Sequence, residues 1–208
     1  CKYVNDVYVA TTSEPADNPV AEGCEINNIK YYRGSEDDVL DRITNAAVKA
    51  NADTIVQMGA DSAYLDFELI DQLVAIYNNG GYDYVCNDLE WTYPIGIYGH
   101  VIRVSNIIDL NNRRDLSAQD REDVARYIWE HPGEYKIKNV TAPPAFNYPR
   151  LRFTIDYPED LQLAREIYGC FNRIDFTTAE LIALFKREPQ LFDKTKDLVQ
   201  ISAPFLKE

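Results

Sequence analysis

Short runs of β-branched and aromatic residues alternate with amphipathic segments along most of this chain. The strand-like runs cover residues 6–12 (DVYVATT), 29–33, 53–58 and 82–87. Between them, apolar residues recur at the spacing of one helical face. Parallel strands need a long crossover connection, which is usually a helix. The alternation therefore predicts an α/β sandwich with a mostly parallel sheet.

Capping residues mark where the predicted helices begin and end. The run SEDD at 35–38 fits a capping box in which the Ser35 hydroxyl accepts an amide proton of the first turn. This helix is expected to end near residue 51. Asp66 is a suitable N-cap for the next helix, which Asn79-Gly80-Gly81 ends. A second capping box begins at Thr177. Further helices are predicted at 18–23, 105–110 and 117–130, and further strands at 135–140 and 151–155.

Charge restricts the partners that this protein can bind. The formal net charge is −13 over 208 residues, whereas nucleic-acid binding requires clustered Lys and Arg. We therefore expect no nucleic-acid partner. A nucleotide remains possible, because a few local basic residues and a divalent cation suffice to hold a triphosphate.

Hydropathy and cysteine spacing favour a reduced, cytoplasmic setting. No apolar run is long enough for a membrane span, and no signal peptide is recognisable, so we expect a cytoplasmic protein without membrane insertion. The four cysteines form no CxxC pair and are expected to be reduced core thiols; they are Cys1, Cys24, Cys86 and Cys170. Because a strand-like run follows so soon after Cys1, we also expect an N-terminal segment upstream.

Two aspartates stand where predicted strands end. Asp61 follows TIVQMGA, and Asp156 follows LRFTI. Ligands of open α/β sheets collect at the carboxyl ends of the strands, where carboxylates can hold a divalent ion against phosphate oxygens. That arrangement would suit nucleotidyl transfer.

Each candidate also has a purely structural interpretation. Asp156 precedes Pro158, a favoured first helical residue, and could simply cap that helix. Asp61 could be an ordinary turn residue. Arg33 and Arg42 flank the SEDD turn, where they could reach phosphate or ribose or could remain solvated.

Several ordered motifs resemble those of a known enzyme family. The motifs are VYVATT, YYRGSEDDVLDR, TIVQMGADSAYLD, TYPIG, DREDVARYI and RLRFTIDYPEDLQLAREIY. In order and approximate spacing they resemble the cytidylyltransferases of the spore coat polysaccharide biosynthesis protein F type. These enzymes are relatives of the acylneuraminate and 3-deoxy-manno-octulosonate cytidylyltransferases. The resemblance covers most of the chain.

The resemblance implies a glycosyltransferase-A-like nucleotidyltransferase fold, a three-layer α/β/α sandwich with a mostly parallel mixed sheet. It also implies an enzyme that couples CTP to a sugar or sugar acid with Mg²⁺ and releases pyrophosphate. Asp61 and Asp156 match the family's metal and phosphate ligands, so they are the implied catalytic residues, and Asp156 would both cap its helix and face the metal. The implied nucleotide-binding residues are Arg33, Ser35, Asp38 and Arg42. Residues 1–172 would form the nucleotidyltransferase-like domain and 173–208 a C-terminal helical tail. By analogy we expect a homodimer, with the subunit contact within 91–149.

The chain also departs from the family pattern. The family's opening strand and its basic, glycine-rich phosphate loop have no counterpart here. Four residues replace those typical of the family on the substrate side: Ile95, Tyr98, His100 and Asp123. Two hypotheses therefore stay open. The protein is either a cytidylyltransferase for surface or spore coat polysaccharide, or a degenerate, non-catalytic member that acts as a binding or assembly module.

Overall fold

The computed structural model describes residues 1–200, and strands and helices alternate through them. The strands are β1 (Tyr8–Thr12), β2 (Lys30–Gly34), β3 (Thr54–Gln57), β4 (Tyr84–Cys86), β5 (His100–Arg103) and β6 (Ile137–Asn139). The helices are α1 (Asn18–Ile26), α2 (Val39–Lys49), α3 (Phe67–Gly80), α4 (Val104–Asn111), α5 (Ala118–Glu122), α6 (Arg126–Glu130), α7 (Pro158–Phe171) and α8 (Thr178–Arg187). The predicted α/β class is confirmed.

The strands form two sheets of mostly parallel strands. β1 and β2 pair in parallel, and the other sheet has the order β3-β5-β4-β6. β4 pairs in parallel with β6, whereas β5 is antiparallel to both β3 and β4. The sequence analysis did not predict β5, because its four residues directly follow a Gly- and Pro-rich segment that reads as loop. Its insertion makes the sheet mixed.

Side chains of the four-stranded sheet alternate between two hydrophobic cores. Val85 and Val101 point to one side, into a cluster with residues of α3, α7 and α8. Tyr84 and Ile102 point to the other side, into a cluster with residues of α2, α4 and α6. Adjacent residues of a strand face opposite sides of a sheet, so each core fills the space between the sheet and one helical layer. The result is the predicted three-layer sandwich.

Most helix ends follow the predicted capping signals, with a correction at α2. Asp66 caps α3, since its Oδ1 accepts hydrogen bonds from the amides of Glu68 and Leu69 at 2.9 and 3.2 Å. Gly81 ends that helix with a φ of 60°, which a residue with a side chain rarely adopts. The capping box at Thr177 is also present. For α2, however, the N-cap is Asp38 and not Ser35.

Two predicted elements are shorter than expected. The helix predicted at 117–130 is split into α5 and α6, because Asp123 has extended backbone angles and its carboxylate accepts a hydrogen bond from the amide of Ala125. The strand predicted at 151–155 makes only two isolated bridges, Arg152 with Ile95 and Thr154 with Ser62. It therefore links loops and does not extend the sheet.

The burial of the cysteines agrees with the expectation for two of the four. Cys24 and Cys86 are buried thiols as expected, but Cys1 and Cys170 are exposed, so the prediction of four core cysteines was wrong for these two. Within residues 1–200, every helix is too short or too polar to cross a bilayer.

Candidate active site

Asp61 lies on a tight loop that follows β3. The amide of Ser62 donates a 3.2 Å hydrogen bond to the carbonyl of Gly59, which closes the turn. The amide of Gly59 donates in turn to the hydroxyl of Tyr98 at 2.8 Å. A Cβ on Gly59 would lie 2.3 Å from Oδ1 of Asp61 and 2.5 Å from that hydroxyl. A side chain at position 59 would therefore force the Asp61 carboxylate and the Tyr98 hydroxyl to move.

The loop pairs with the segment that carries Asp156. The amide of Ile155 donates a 2.9 Å hydrogen bond to the backbone carbonyl of Asp61, and Ser62 and Thr154 form an antiparallel bridge. The two aspartates are thereby brought into electrostatic contact. Burial raises the pKa of Asp61 above its usual value, and the negative charge of Asp156 raises it further.

Asp156 is bound by side chains and does not cap α7. Its Oδ2 accepts hydrogen bonds from Arg152 and, at 2.9 Å, from the hydroxyl of Thr154. Asp160 instead caps the helix, since its Oδ2 accepts from the amides of Asp156 and Tyr157 at 2.9 and 3.0 Å. α7 begins at Pro158 as predicted, but the capping role expected for Asp156 was wrong. The carboxylate of Asp156 therefore takes no part in capping α7.

A buried arginine, missed by the sequence analysis, holds this segment together. The side chain of Arg152 is only 4% exposed, and its Nε and Nη2 contact the two carboxylate oxygens of Asp160 at 3.0 and 2.9 Å. Burial opposes the ionisation of Asp160, but the hydrogen bonds from Arg152 and from the backbone outweigh it and lower the pKa of Asp160. A lone arginine in the apolar run LRFTI, with acids four and eight residues later, was the available signal.

The four predicted nucleotide-binding residues build the turn between β2 and α2. Arg33 donates to the carbonyls of Thr12 and Glu14 and to Asn18, at 2.8–2.9 Å. Arg42 donates to the carbonyl of Ser35, whose hydroxyl accepts from the amide of Asp38 at 3.1 Å. These contacts are all within the protein. None of the four residues lines the cavity described next, although Val39, directly after them, does.

A cavity of about 300 Å³ opens beside Asp61. Its walls come from the loop after β3, the segment between β4 and β5, and the junction between α5 and α6. The lining includes Gln57, Asp61, Asn87, Asp88, Trp91, Ile95, Tyr98, His100, Glu122, Asp123, Thr154 and Gln200. Asp156 contacts two of these, Thr154 at 2.9 Å and Gln200 at 3.4 Å. All four residues that depart from the family pattern on the substrate side thus line one cavity.

His100 is held by two oxygen acceptors at this cavity. Its Nε2 lies 2.8 Å from Oδ2 of Asp88, and its Nδ1 lies 2.9 Å from Oε1 of Gln57. Burial lowers the pKa of His100, but the charge and hydrogen bond of Asp88 outweigh it, and the pKa is raised. Both ring nitrogens of His100 are therefore occupied by groups of the protein itself.

Comparisons with known proteins show which proteins this chain resembles. The sequence profile of the cytidylyltransferase family matches residues 1–198. The chain is 30% identical over 188 residues to the spore coat polysaccharide biosynthesis protein SpsF of Bacillus subtilis. The aligned region covers 89% of this chain and 76% of that protein. It is also 30% identical over 190 residues to an uncharacterized protein of Methanocaldococcus jannaschii, covering 91% and 76% of the two chains.

A solved structure shares the fold. It is a cytidylyltransferase from Leptospira borgpetersenii, which superimposes with a TM-score of 0.84 at 24% identity and covers 94% of this chain and 81% of its own. At that identity the similarity establishes the nucleotidyltransferase-like fold alone. The family assignment depends on the profile match, which spans nearly all described residues. This chain belongs to the cytidylyltransferase family.

Proposed function

We propose that this protein transfers a cytidylyl group from CTP to a sugar-type acceptor and releases pyrophosphate. The observation that carries the proposal is the convergence of Asp61 and Asp156 beside a cavity, in a chain of the cytidylyltransferase family. The acceptor hydroxyl oxygen would attack the α-phosphorus, and the bond from that phosphorus to the bridging oxygen would break. Pyrophosphate leaves with the bridging oxygen, and the hydroxyl proton is released.

Asp61 and Asp156 are a suitable donor set for Mg²⁺. This ion commonly binds through one or two carboxylates and completes its coordination with water and substrate phosphates. The raised pKa of Asp61 reflects in part the nearby charge of Asp156, which a cation would compensate. Within residues 1–200 no cluster of three or more His, Cys, Asp or Glu has the geometry of a metal site. The ion would therefore depend on CTP, and when bound it would neutralise charge on the phosphates.

The turn at residues 33–42 would form the nucleotide side of the site. Arg33 and Arg42 already use their guanidinium groups to hold this turn. We therefore assign them a positioning role, in which they present the exposed residues from Ser35 onward to the nucleotide. Val39 connects this turn to the cavity wall.

The similarity to the Bacillus subtilis protein supports a role in polysaccharide biosynthesis, where an activated sugar would be the building block. Because CTP is a cytoplasmic nucleotide, the reaction would take place in the cytoplasm.

Pyrophosphate release tests the proposal. The full-length protein is incubated with CTP, Mg²⁺ and a panel of sugars, with ATP, GTP and UTP as nucleotide controls. We expect release with CTP only, lost in Asp61→Asn and Asp156→Asn. Asp109→Asn, which changes an exposed acid on α4, is the matched control and should stay active. A folded protein that neither binds CTP nor releases pyrophosphate would contradict the proposal and favour the non-catalytic alternative.

A further inference from the structure

Gln200 reaches the candidate active site from the C-terminal part of the chain. Its side chain lines the cavity beside Asp61. Its Nε2 donates a long hydrogen bond of 3.4 Å to Oδ2 of Asp156, and its Oε1 accepts from Arg152 and, at 3.4 Å, from the hydroxyl of Thr154. One side-chain amide thus contacts three residues of the segment that carries Asp156.

The chemistry of these partners fixes which way the amide of Gln200 points. The guanidinium of Arg152 only donates hydrogen bonds, so it must face Oε1. The ionised carboxylate of Asp156 only accepts them, so it must face Nε2. A flipped amide would set donor against donor and acceptor against acceptor. Gln200 therefore connects the guanidinium to the carboxylate as well as contacting each of them.

Gln200 also completes the set of acceptors around the buried guanidinium of Arg152. The Arg152 side chain is 4% exposed, so its donors need acceptors within the protein. Nε and Nη2 donate to Asp160, and Nη2 also donates to Asp156. Nη1 donates to Gln200, its one acceptor among residues 1–200. Removing the amide would therefore loosen the same guanidinium that holds Asp156.

The carboxylate of Asp156 is held through one of its two oxygens. Oδ2 accepts from Arg152, Thr154 and Gln200, whereas no group within residues 1–200 donates to Oδ1. Donors that bind one oxygen fix the orientation of the carboxylate and leave the other oxygen for a ligand. Because Gln200 is neutral, it adds a donor without adding a positive charge that would repel a cation.

A buried aromatic residue anchors the segment that leads to Gln200, residues 189–200, which we call the C-terminal segment. Phe192 is 4% exposed. Its ring packs edge-on against Phe153, with 6.1 Å between the ring centroids. Phe153 lies in the same short segment as the partners of Gln200. The anchor therefore packs on the part of the chain that the amide contacts.

Two polar contacts fasten the rest of the C-terminal segment. Nζ of Lys194 lies 2.6 Å from both carboxylate oxygens of Glu166 on α7. The hydroxyl of Tyr157, directly before α7, donates to the carbonyl of Val199 at 3.2 Å. The backbone is thus held at the residue that precedes Gln200, which directs the amide toward Asp156.

We infer that Gln200 is a positioning residue of the candidate active site. It holds Asp156 through Oδ2, directly and by way of Arg152, so that Oδ1 is available to the cation that accompanies CTP. This inference rests on the proposed function of the same site. A glutamine that served only to satisfy Arg152 would contribute to stability and would not change how strongly the cation increases CTP affinity.

Calorimetric titration of CTP with Mg²⁺, and again with EDTA, tests the inference on the full-length protein without turnover. The ratio of the two affinities measures how much the cation contributes to binding. Gln200→Leu keeps the approximate size of the side chain but removes its donor and its acceptor. We expect this variant to lower the ratio by about tenfold, as loss of a group that orients a metal ligand commonly does. Its CTP affinity in EDTA should match that of the wild type.

Gln190→Leu is the matched control. It makes the same substitution at an exposed glutamine of the short 3₁₀ helix Pro189–Phe192, within the same C-terminal segment. This control should keep the wild-type ratio. Where Gln200→Leu does not fold, as judged by urea denaturation, Gln200→Ala replaces it. A wild-type ratio in the Gln200 variant, or an equal loss of CTP affinity with Mg²⁺ and with EDTA, would overturn the inference.

The same titrations separate this inference from the proposed function. If no acceptor is turned over but Mg²⁺ still increases CTP affinity, the proposed function has failed, and the ratio in Gln200→Leu still decides the inference. If turnover occurs and the Gln200 variant keeps the wild-type ratio, the inference alone has failed. A wild-type protein whose CTP affinity does not depend on Mg²⁺ would also overturn it, because no cation would then require a positioned Asp156.

Discussion

The hydroxyl of Tyr98 accepts a 2.8 Å hydrogen bond from the backbone amide of Gly59, and it thereby fixes the loop that carries Asp61. The two residues come from different segments, Gly59 from the loop after β3 and Tyr98 from the loop before β5. β3 and β5 are adjacent strands, with Gln57 paired to His100, so the two loops meet at the same end of the sheet. The position of the Asp61 carboxylate thus depends on a contact between these two loops.

Removing that hydroxyl should loosen the Asp61 loop. In Tyr98→Phe the amide of Gly59 loses its partner, and we expect the free energy of unfolding to fall by about 1 kcal/mol. CTP turnover should fall more than stability does, since the loop positions Asp61. Urea denaturation and pyrophosphate release measure the two effects. Tyr148→Phe, at a tyrosine whose ring packs on Phe185, is the control. Full turnover in Tyr98→Phe would show that the loop is held by other contacts.

Gly59 has no room for a side chain. An alanine Cβ there would lie 2.3 Å from Oδ1 of Asp61, so the Asp61 carboxylate must shift in Gly59→Ala. We expect a loss of stability of about 1–3 kcal/mol and a fall in turnover of about a hundredfold, because small displacements of catalytic groups are costly.

The matched control for this substitution is Gly23→Ala in α1. A Cβ at Gly23 meets nothing within 4 Å, and alanine is favoured over glycine in a helix by about 0.5–1 kcal/mol. Thermal or urea unfolding should show that this variant is as stable as the wild type or more so. Similar behaviour of the two variants would contradict the close approach at Gly59.

The contact between Arg152 and Asp160 should be critical for stability. Asp160 is only 3% exposed, and Arg152→Ala would leave its carboxylate buried without a cation. We expect a loss of about 3–5 kcal/mol in the free energy of unfolding, as for other buried pairs from which one partner is removed. Where this variant does not fold, Arg152→Lys keeps the charge but loses the two parallel hydrogen bonds.

A surface arginine provides the comparison for Arg152. Arg173 has a side chain 40% exposed and pairs with Asp175 and Glu180. Arg173→Ala should cost less than about 1 kcal/mol, because solvent screens such pairs. Urea denaturation measures the free energy of unfolding of both variants. Equal losses in Arg152→Ala and Arg173→Ala would show that the burial of Arg152 does not contribute to its effect.

Asp61 should reduce stability at neutral pH. Its pKa is raised in the folded state by burial and by Asp156, so the folded protein binds a proton more readily there than the unfolded chain does. Stability therefore falls as pH rises from the unfolded pKa through the folded pKa, and this loss persists at neutral pH. Asp61→Asn removes the penalty, so it should raise the urea midpoint at pH 7 while abolishing turnover.

Two comparisons check the effect of Asp61. Near pH 3 the carboxyl is protonated in both states, and Asp61→Asn and wild type should have similar midpoints. At pH 7, Mg²⁺ with CTP should stabilise the wild type and have little effect on the variant, as linkage requires. Asp109→Asn should follow the wild type in both experiments. Identical midpoints for Asp61→Asn and wild type across the pH range would contradict the prediction.

Some expectations from the sequence remain predictions. These are the nucleotide-binding role of Arg33, Ser35, Asp38 and Arg42, the division into 1–172 and 173–208, and a homodimer with its contact within 91–149. Cross-linking and sedimentation of the full-length protein would test the dimer. The last eight residues of the predicted tail, 201–208, lie outside the described residues.

Local patterns alone determined much of this fold. The periodic apolar residues of α3, its cap Asp66 and its terminal Gly81, and the start of α7 at Pro158 all depend on neighbours in sequence, and each was predictable. Asp61 and Asp156 could also be selected, because both follow apolar runs that end on an acid.

Tertiary structure decided the remaining features. Strand β5 is stable only because it pairs with β3 and β4, and its own four residues carry too weak a signal to predict it. The hydrogen-bond partners of Asp156 and His100 could likewise not be predicted from the sequence. Arg152 meets Asp160 only after the chain bends into α7, and His100 lies between Gln57 and Asp88, 43 and 12 residues away in sequence. Hydrogen bonds and ion pairs depend on distance in space, so contacts between distant segments appear only once the sheet has brought those segments together.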